Sequence, residues 1–288
     1  ELLNIFIDNR PSERDLPESL FNFIFAPLTG LLIHSVDDQI LQIGGEVFNT
    51  VLVNANERYF LDFKSNANKN GIQIALQILE KFLSPTLSDS AAMSVGSIVV
   101  SIVQKFKYQL NDYMPKILES ATRRLLIANH PIIIENLMTV FCYLVLLSPE
   151  ETLNFLGSLS FPFFEPPTPG AATYDNLPVE KKNGIEVVLP IWLDSFTSTG
   201  GAEKIKQNVN ALGKIFLAKD SRVENLIVKG DLIPNQNNPD IIITRSMAKK
   251  MPMNFTQISA STKILKLFLQ ELSFLSQQPD TNDYVTTT

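Results

Sequence analysis

The chain has 288 residues, of which 45% are hydrophobic and 19% charged, with a formal net charge of −6. This hydrophobic fraction is ample for a core, and the acidic balance argues against a nucleic-acid-binding protein while fitting a basic partner. The single cysteine excludes an intramolecular disulfide, so a reducing compartment is the default. The longest uncharged apolar run, Leu137–Leu147, is shorter than the roughly 20 residues that cross a bilayer, which predicts no membrane insertion.

Apolar residues at helical spacing predict helices from the first residues onward. The run at residues 2–7 is expected to be the remainder of a helix that has lost its beginning. Residues 17–34 predict a long helix with Pro27 as a kink, and Asp37 suits the N-cap of the next helix. That helix contains Gly44-Gly45, and since each glycine costs a helix about 1 kcal/mol relative to alanine, we expect this pair to serve close helix–helix packing.

The middle of the chain continues in the same way. A polar turn at residues 66–70 precedes one helix with an apolar stripe from Ile72 to Leu83, and a second carries its stripe from Ala92 to Leu110. Residues 112–128 predict an amphipathic helix with Arg123 and Arg124 on its polar side.

A break at residues 129–131 separates this amphipathic helix from a second, which is apolar on nearly every side and extends to Leu147. Pro131 suits its first position, and His130 at the junction is more typical of a helix cap than of a metal ligand. Ser148 with Glu151 then predicts a capping box for a short helix that ends near Gly157.

The last third of the chain combines helices with two segments that we expect to be irregular, near residues 161–183 and 228–255. Helices are predicted for residues 184–196, 203–217 and 258–275, and residues 279–288 are expected to be a flexible tail. Two apolar stripes are predicted to face the core: Ile205, Val209, Leu212 and Phe216 in one helix, and Ile264, Leu265, Phe268, Leu272 and Leu275 in the other.

Helical pairs recur along the chain at a regular interval. They begin near Pro17, Asn68, Asp112 and Ser148, a period of roughly 40 residues that is typical of HEAT and armadillo arrays. Each pair joins an amphipathic outer helix to a more apolar inner helix. The sequence therefore predicts an all-α fold, a HEAT-repeat α-α superhelix (armadillo-like solenoid) over residues 1–278.

No pattern of catalytic or metal-binding residues appears. His34 and His130 lie far apart without HExxH or CxxC motifs, and no GxSxG, GxxxxGK[ST] or GxGxxG motif is present. Cys142 lies in an apolar helix, where packing is the usual role of a free cysteine. We predict neither an enzyme, nor a cofactor, nor a metal site.

Carboxylates remain as the candidate functional groups. In a solenoid the inner helices of successive repeats line one wall, so modest acidity in each repeat can add up to an acidic surface for a basic protein. An ordinary solvated helix face is the alternative for each residue taken singly. The candidate cargo-binding residues are Asp37, Asp38, Glu46, Glu57 and Asp62, and a second group comprises Asp112, Glu119, Glu135, Glu150 and Glu151.

The C-terminal third carries a family resemblance. Four segments occur in an order that resembles the C-terminal region of the importin-9 branch of the importin-β (karyopherin-β) superfamily: Leu212-Gly213-Lys214, Leu226–Ile233, Ile241–Ser246 and Lys263–Leu267. From their own residues, Leu226–Ile233 is expected to be an extended packing segment and Arg245 an intramolecular anchor.

The resemblance implies a nuclear import receptor that shuttles between cytoplasm and nucleus and wraps basic cargo, such as TATA-binding protein and core histone dimers. It also implies nucleoporins as partners and RanGTP-regulated release, with the main Ran site outside this chain. The acidic insertion of the family is not visible, because residues 161–183 are rich in proline instead. The alternative function is a HEAT-repeat scaffold subunit of a multiprotein complex, which would bind through an apolar patch and respond little to salt.

Overall fold

The computed structural model describes residues 16–163, 180–233 and 254–277. The chain divides into two compact units, Glu1–Val188 and Leu189–Thr288. The first unit contains α1 Glu18–His34, α2 Asp38–Asn54, α3 Glu57–Asp62, α4 Gly71–Phe82, α5 Val95–Phe106, α6 Met114–Ile127, α7 Pro131–Leu147, α8 Pro149–Ser158, β1 Ser160–Phe163 and β2 Glu180–Asn183. Helix α9, Gly184–Ser195, crosses the boundary, and the second unit continues with α10 Ala202–Leu217, α11 Ser221–Glu224, β3 Ile227–Ile233, β4 Asn254–Ser259 and α12 Ala260–Ser276.

The first unit is built from helical pairs in two layers. Three pairs of helices pack together: α1 with α2, α4 with α5, and α6 with α7. The inner layer is formed by α2, α5 and α7, which pack in series. In the outer layer α1 packs on α4. Large side chains such as Phe25, Phe48 and Phe106 are fully buried between them. The predicted all-α array of helical pairs is therefore confirmed.

Glycines let neighbouring helices approach closely at two places. A Cβ atom at Gly45 would lie 2.5 Å from the Ser94 hydroxyl oxygen, and one at Gly44 would lie 2.7 Å from a Leu32 methyl group. At Gly96 in α5 the approach is tighter, since a Cβ would lie 1.8 Å from the backbone oxygen of Asn136 in α7. The prediction that Gly44-Gly45 serves close helix packing is confirmed.

Polar side chains from one helical pair complete the ends of helices in another. The Lys81 ammonium of α4 donates to the carbonyl oxygens of Leu32, Ile33 and Ser35 at the C-terminal end of α1, at 2.8, 3.1 and 2.5 Å. Burial lowers the pKa of Lys81. The Lys105 ammonium of α5 likewise donates to the carbonyl oxygen of Ala55 after α2, at 2.5 Å. These bonds satisfy carbonyls that a helix end leaves without an intrahelical partner.

Most predicted helix starts are observed, with one correction. Asp37 accepts hydrogen bonds from the N–H groups of Gln39 and Ile40, and His130 Nδ1 accepts one from the N–H of Ile132, so both act as N-caps as predicted. The capping box predicted at Ser148 is wrong, because α8 begins there but the Ser148 side chain makes no cap hydrogen bond. A capping box forms instead at Asn70, with Gln73.

Two antiparallel hairpins occupy segments that were expected to be irregular. Strand β1 pairs with β2, joining Ser160 to Asn183, and β3 pairs with β4 across a register shift between Lys229 and Leu232. The described ends of the 161–183 and 228–255 segments are thus extended strands. The extended conformation expected for Leu226–Ile233 is observed in β3. The predictions for residues 2–7, Ile241–Ser246 with Arg245, and the tail at 279–288 lie outside the described residues.

The second unit packs around α12. Helices α10 and α11 and both strands of the β3–β4 hairpin contact α12. Trp192 at the end of α9 is buried, and its indole N–H donates to the side-chain oxygen of Asn208 in α10 at 2.6 Å. Ion pairs join Lys263 to Asp194 and Lys266 to Asp231, which attach α12 to α9 and to β3.

Candidate functional site

The five predicted cargo-binding carboxylates do not form one cluster. Asp37 and Asp38 lie at the N-terminal end of α2. Glu57 and Asp62 are the first and last residues of α3, which follows the C-terminal end of α2. Because a 17-residue helix is about 25 Å long, the two groups lie at opposite ends of α2. Glu46 lies between them, near the middle of the helix.

Four of the five carboxylates have hydrogen-bond or ion-pair partners within the chain. Asp37 caps α2, Asp38 accepts a hydrogen bond from the Ser88 hydroxyl at 2.6 Å, and Glu57 accepts one from the Gln109 side-chain amide at 2.7 Å. Asp62 pairs with Arg58 at 3.0 Å within α3, in a pair that is mostly exposed. A partner protein would have to compete with these contacts or share the carboxylates with them.

Glu46 differs from the other four. It is exposed, and its carboxylate forms no hydrogen bond or ion pair with any described residue. It lies on what we call the exposed face of α2, which comprises Gln39, Ile43, Glu46, Thr50 and Val53 at positions i, i+4, i+7, i+11 and i+14. Ile43 and Val53 are 48% and 58% exposed. An unpaired carboxylate flanked by exposed apolar side chains suits a partner with a basic residue beside apolar ones.

The inner layer as a whole carries little acidity. Helix α5, Val95–Phe106, contains no acidic residue, and α7 contains only Glu135. The basic side chain of Lys105 lies at the C-terminal end of α2. The summed acidity that the sequence predicts along the inner layer is therefore concentrated on α2, and in the second group Glu119 is paired with Arg123 at 2.7 Å.

An ion pair with a buried arginine lies where the sequence predicts a solvated arginine. Arg124 is only 2% exposed, and its guanidinium donates to one carboxylate oxygen of Asp89 at 2.8 Å. The other oxygen of Asp89 accepts from the backbone N–H groups of Asn129 and His130, at 2.8 and 2.9 Å. This cluster links the segment before α5 to the turn between α6 and α7.

The position of Arg124 on its helix was the signal that the sequence interpretation missed. Arg124 follows Ala121 by three residues and Ile117 by seven, so it belongs to the apolar face that both residues define. Partial burial alone would raise the pKa of Asp89, but the two backbone N–H groups and the Arg124 guanidinium outweigh it and lower that pKa. The arrangement favours the charged carboxylate and serves structure.

Among the described residues the one cysteine is buried in a helix, and the potential metal ligands are dispersed. Cys142 is 2% exposed, and burial raises the pKa of its thiol to about 12, so it packs as a thiol, as predicted. Within the described ranges no three His, Cys, Asp or Glu side chains gather in a group that could hold a metal ion. None of the described helices is both long enough and apolar enough to span a membrane.

The sequence is similar to importin proteins of two yeasts and a fly. No protein-family model matches the chain. It is 32% identical to importin subunit beta-5 of Saccharomyces cerevisiae over 286 residues, which are 99% of this chain and 26% of the relative. It is 27% identical to importin subunit beta-5 of Schizosaccharomyces pombe over 96% of this chain and 25% of the relative, and 24% identical to importin-9 of Drosophila melanogaster over 94% and 25%. The chain thus spans about a quarter of the length of these relatives.

Proposed function

We propose that this chain, which is an importin-9-like karyopherin sequence along nearly its whole length, forms part of a nuclear transport receptor that binds basic protein cargo. The observation that carries the proposal is the 32% identity to an importin subunit over 99% of the chain, on a fold of paired helices. Cargo of the proposed class includes TATA-binding protein and core histone dimers. Release regulated by Ran, contact with nucleoporins and shuttling between cytoplasm and nucleus belong to the same proposal.

Within this chain, the proposed cargo contact centres on Glu46. The carboxylate is free to pair with a lysine or arginine of the cargo without breaking an existing ion pair, whereas Asp62 and Glu57 already have partners. Ile43 and Val53 supply apolar contact on both sides. Asp37, Asp38, Glu57 and Asp62 extend the negative potential toward the two ends of α2 and contribute through longer-range attraction.

The test is binding of this chain to purified TATA-binding protein and to histone dimers at low salt and at about 0.15 M salt, where charges are screened beyond roughly 8 Å. We expect affinity that falls as salt rises, and a further loss of roughly threefold or more for Glu46→Gln. Glu18→Gln is the matched control, since it removes one exposed carboxylate charge from α1, in the outer layer of the first unit. The proposal is contradicted if the folded chain binds neither TATA-binding protein nor histone dimers.

The scaffold alternative predicts a different response. The exposed Ile43 and Val53 would then carry the interaction, so affinity would change little with salt and Glu46→Gln would bind like the unmodified chain. Val53→Gln would be the damaging change in that case. The two substitutions on one helix face therefore separate a charge-driven cargo surface from an apolar assembly surface.

A further inference from the structure

The sequence contains two Asn-Gly pairs, Asn70-Gly71 and Asn183-Gly184. Both lie in the pattern Lys-Asn-Gly-Ile followed by glutamine or glutamate, and each glycine is the first residue of a helix, α4 or α9. An Asn-Gly pair is chemically labile, because glycine has no side chain to shield its backbone nitrogen from the neighbouring asparagine side chain. Neither pair takes part in the proposed function.

The reaction open to such a pair is deamidation. The backbone nitrogen of glycine attacks the side-chain carbonyl carbon of asparagine and forms a new C–N bond. The glycine nitrogen gives up its proton, and the side-chain nitrogen leaves as ammonia. Water then opens the cyclic imide at either of its two carbonyls, which gives aspartate or isoaspartate. The reaction consumes only water and converts a neutral amide into a carboxylate.

Helix packing requires the glycine in both pairs. A Cβ atom at Gly71 would lie 2.8 Å from the backbone oxygen of Phe60 in α3, and one at Gly184 would lie 2.6 Å from the backbone oxygen of Leu156 in α8. Both glycines are buried. A larger residue, which would slow deamidation, therefore does not fit at either position.

The asparagine of the first pair is held in a reciprocal cap. Its Oδ1 atom accepts a hydrogen bond from the N–H of Gln73 at 2.9 Å, and the Gln73 side chain accepts one from the N–H of Asn70 at 3.0 Å. The backbone of Asn70 is extended, with ψ at 170°. Ring closure requires the side chain to leave this cap and the backbone to rotate about the Cα–C bond, so it can proceed only when the first turn of α4 opens.

The second pair has the same arrangement. Oδ1 of Asn183 accepts hydrogen bonds from the N–H groups of Ile185 and Glu186, at 2.9 and 3.1 Å. The Glu186 carboxylate accepts one from the N–H of Asn183 at 2.7 Å. The glutamine or glutamate three residues after each asparagine thus completes the cap at both sites.

We propose that Asn70 and Asn183 are latent deamidation sites, which the reciprocal caps keep closed in the folded chain. The rate of modification at each site is then set by how often the first turn of α4 or α9 opens. Aspartate retains the side-chain acceptor that caps the helix. Isoaspartate lengthens the backbone by one methylene group, so it cannot keep the geometry of the cap.

The experiment follows deamidation of the full chain at 37 °C by peptide mapping with mass spectrometry, which distinguishes the acid from the amide at each site. The same chain unfolded in urea is the reference. We expect both sites to react at least about tenfold more slowly in the folded chain. Equal rates in the folded and unfolded chain, or no reaction in urea, would overturn the proposal.

Substitution of the capping glutamine tests the cause of the protection. Gln73→Leu should accelerate reaction at Asn70 about threefold or more, because the first turn of α4 then opens more often. Gln77→Leu is the matched control, since it removes a glutamine from the same helix without touching the cap, and it should leave the rate at Asn70 unchanged. Asn183 serves as the internal reference in both variants. Equal acceleration at Asn70 and Asn183 by Gln73→Leu would overturn the proposal in favour of general unfolding.

Discussion

The two units use their helix faces differently. In the first unit the inner helices have neighbours on several sides, Gly96 lets two backbones touch, and the buried Arg124 pairs with the partly exposed Asp89. In the second unit α12 buries one side and leaves a stripe of leucines open, and its ion pair between Lys266 and Asp231 is largely exposed. The same principles of helix packing thus give closely packed helices in one unit and an exposed apolar helix face in the other.

The largest expected effect tests the closeness of packing in the first unit. Gly96→Ala should destabilise the protein by about 3 kcal/mol, because the added Cβ would overlap a backbone atom of α7 and the two helices would have to move apart. Gly213→Ala in α10 is the matched change in the second unit, where the nearest atom would lie 4.0 Å away. It should stabilise by about 0.5–1 kcal/mol through helix propensity. Urea unfolding measures both, and equal effects would remove the contrast between the units.

The next effect concerns the ion pairs. Arg124→Met should cost about 2–3 kcal/mol, since Asp89 would lose its charged partner but keep two backbone hydrogen bonds. Lys266→Met should cost at most about 1 kcal/mol, because exposed pairs contribute little. Equal decreases in the urea midpoint for the two substitutions would contradict the expected difference between the two ion pairs.

The smallest effect is a pH dependence that arises at Asp89 in the first unit. The pKa of Asp89 is lowered in the folded chain, so the stability that this carboxylate contributes is present above its unfolded pKa and is lost as pH falls through the folded pKa. Asp89→Asn lacks this contribution. The stability difference between the unmodified chain and Asp89→Asn should therefore shrink on acidification below about pH 4. A constant difference across that range would show that Asp89 does not titrate with folding.

Helical spacing was sufficient to predict the array of pairs because burial in a two-layer helical fold follows the 3.6-residue period closely. The caps at Asp37 and His130 and the packing role of Gly44-Gly45 were also predictable, since each depends on local geometry. The two hairpins were not, because pairing of β1 with β2 or β3 with β4 joins segments that are distant in sequence.

The candidate site was predicted less completely than the fold. Residue type alone could not distinguish Glu46, which is free, from Asp38 and Glu57, which are held by Ser88 and Gln109 from elsewhere in the chain. The sequence predicted Arg124 on the polar side of its helix because arginine is charged, although its spacing places it on the apolar face. For α12 the prediction that the whole apolar stripe faces the core is wrong, because Leu265, Leu272 and Leu275 are 45%, 62% and 54% exposed. Helical spacing cannot tell whether a neighbour covers a stripe.

Lys81 and Lys105 connect the second helical pair to the first by hydrogen bonds at helix ends. The last carbonyls of α1 are completed by Lys81, almost fifty residues further along, and the end of α2 is completed in the same way by Lys105. We therefore expect the first helical pair to fold together with the second. Its final turns acquire their full set of hydrogen bonds only when the second pair has formed, so the two pairs should exchange their amide hydrogens as one cooperative block.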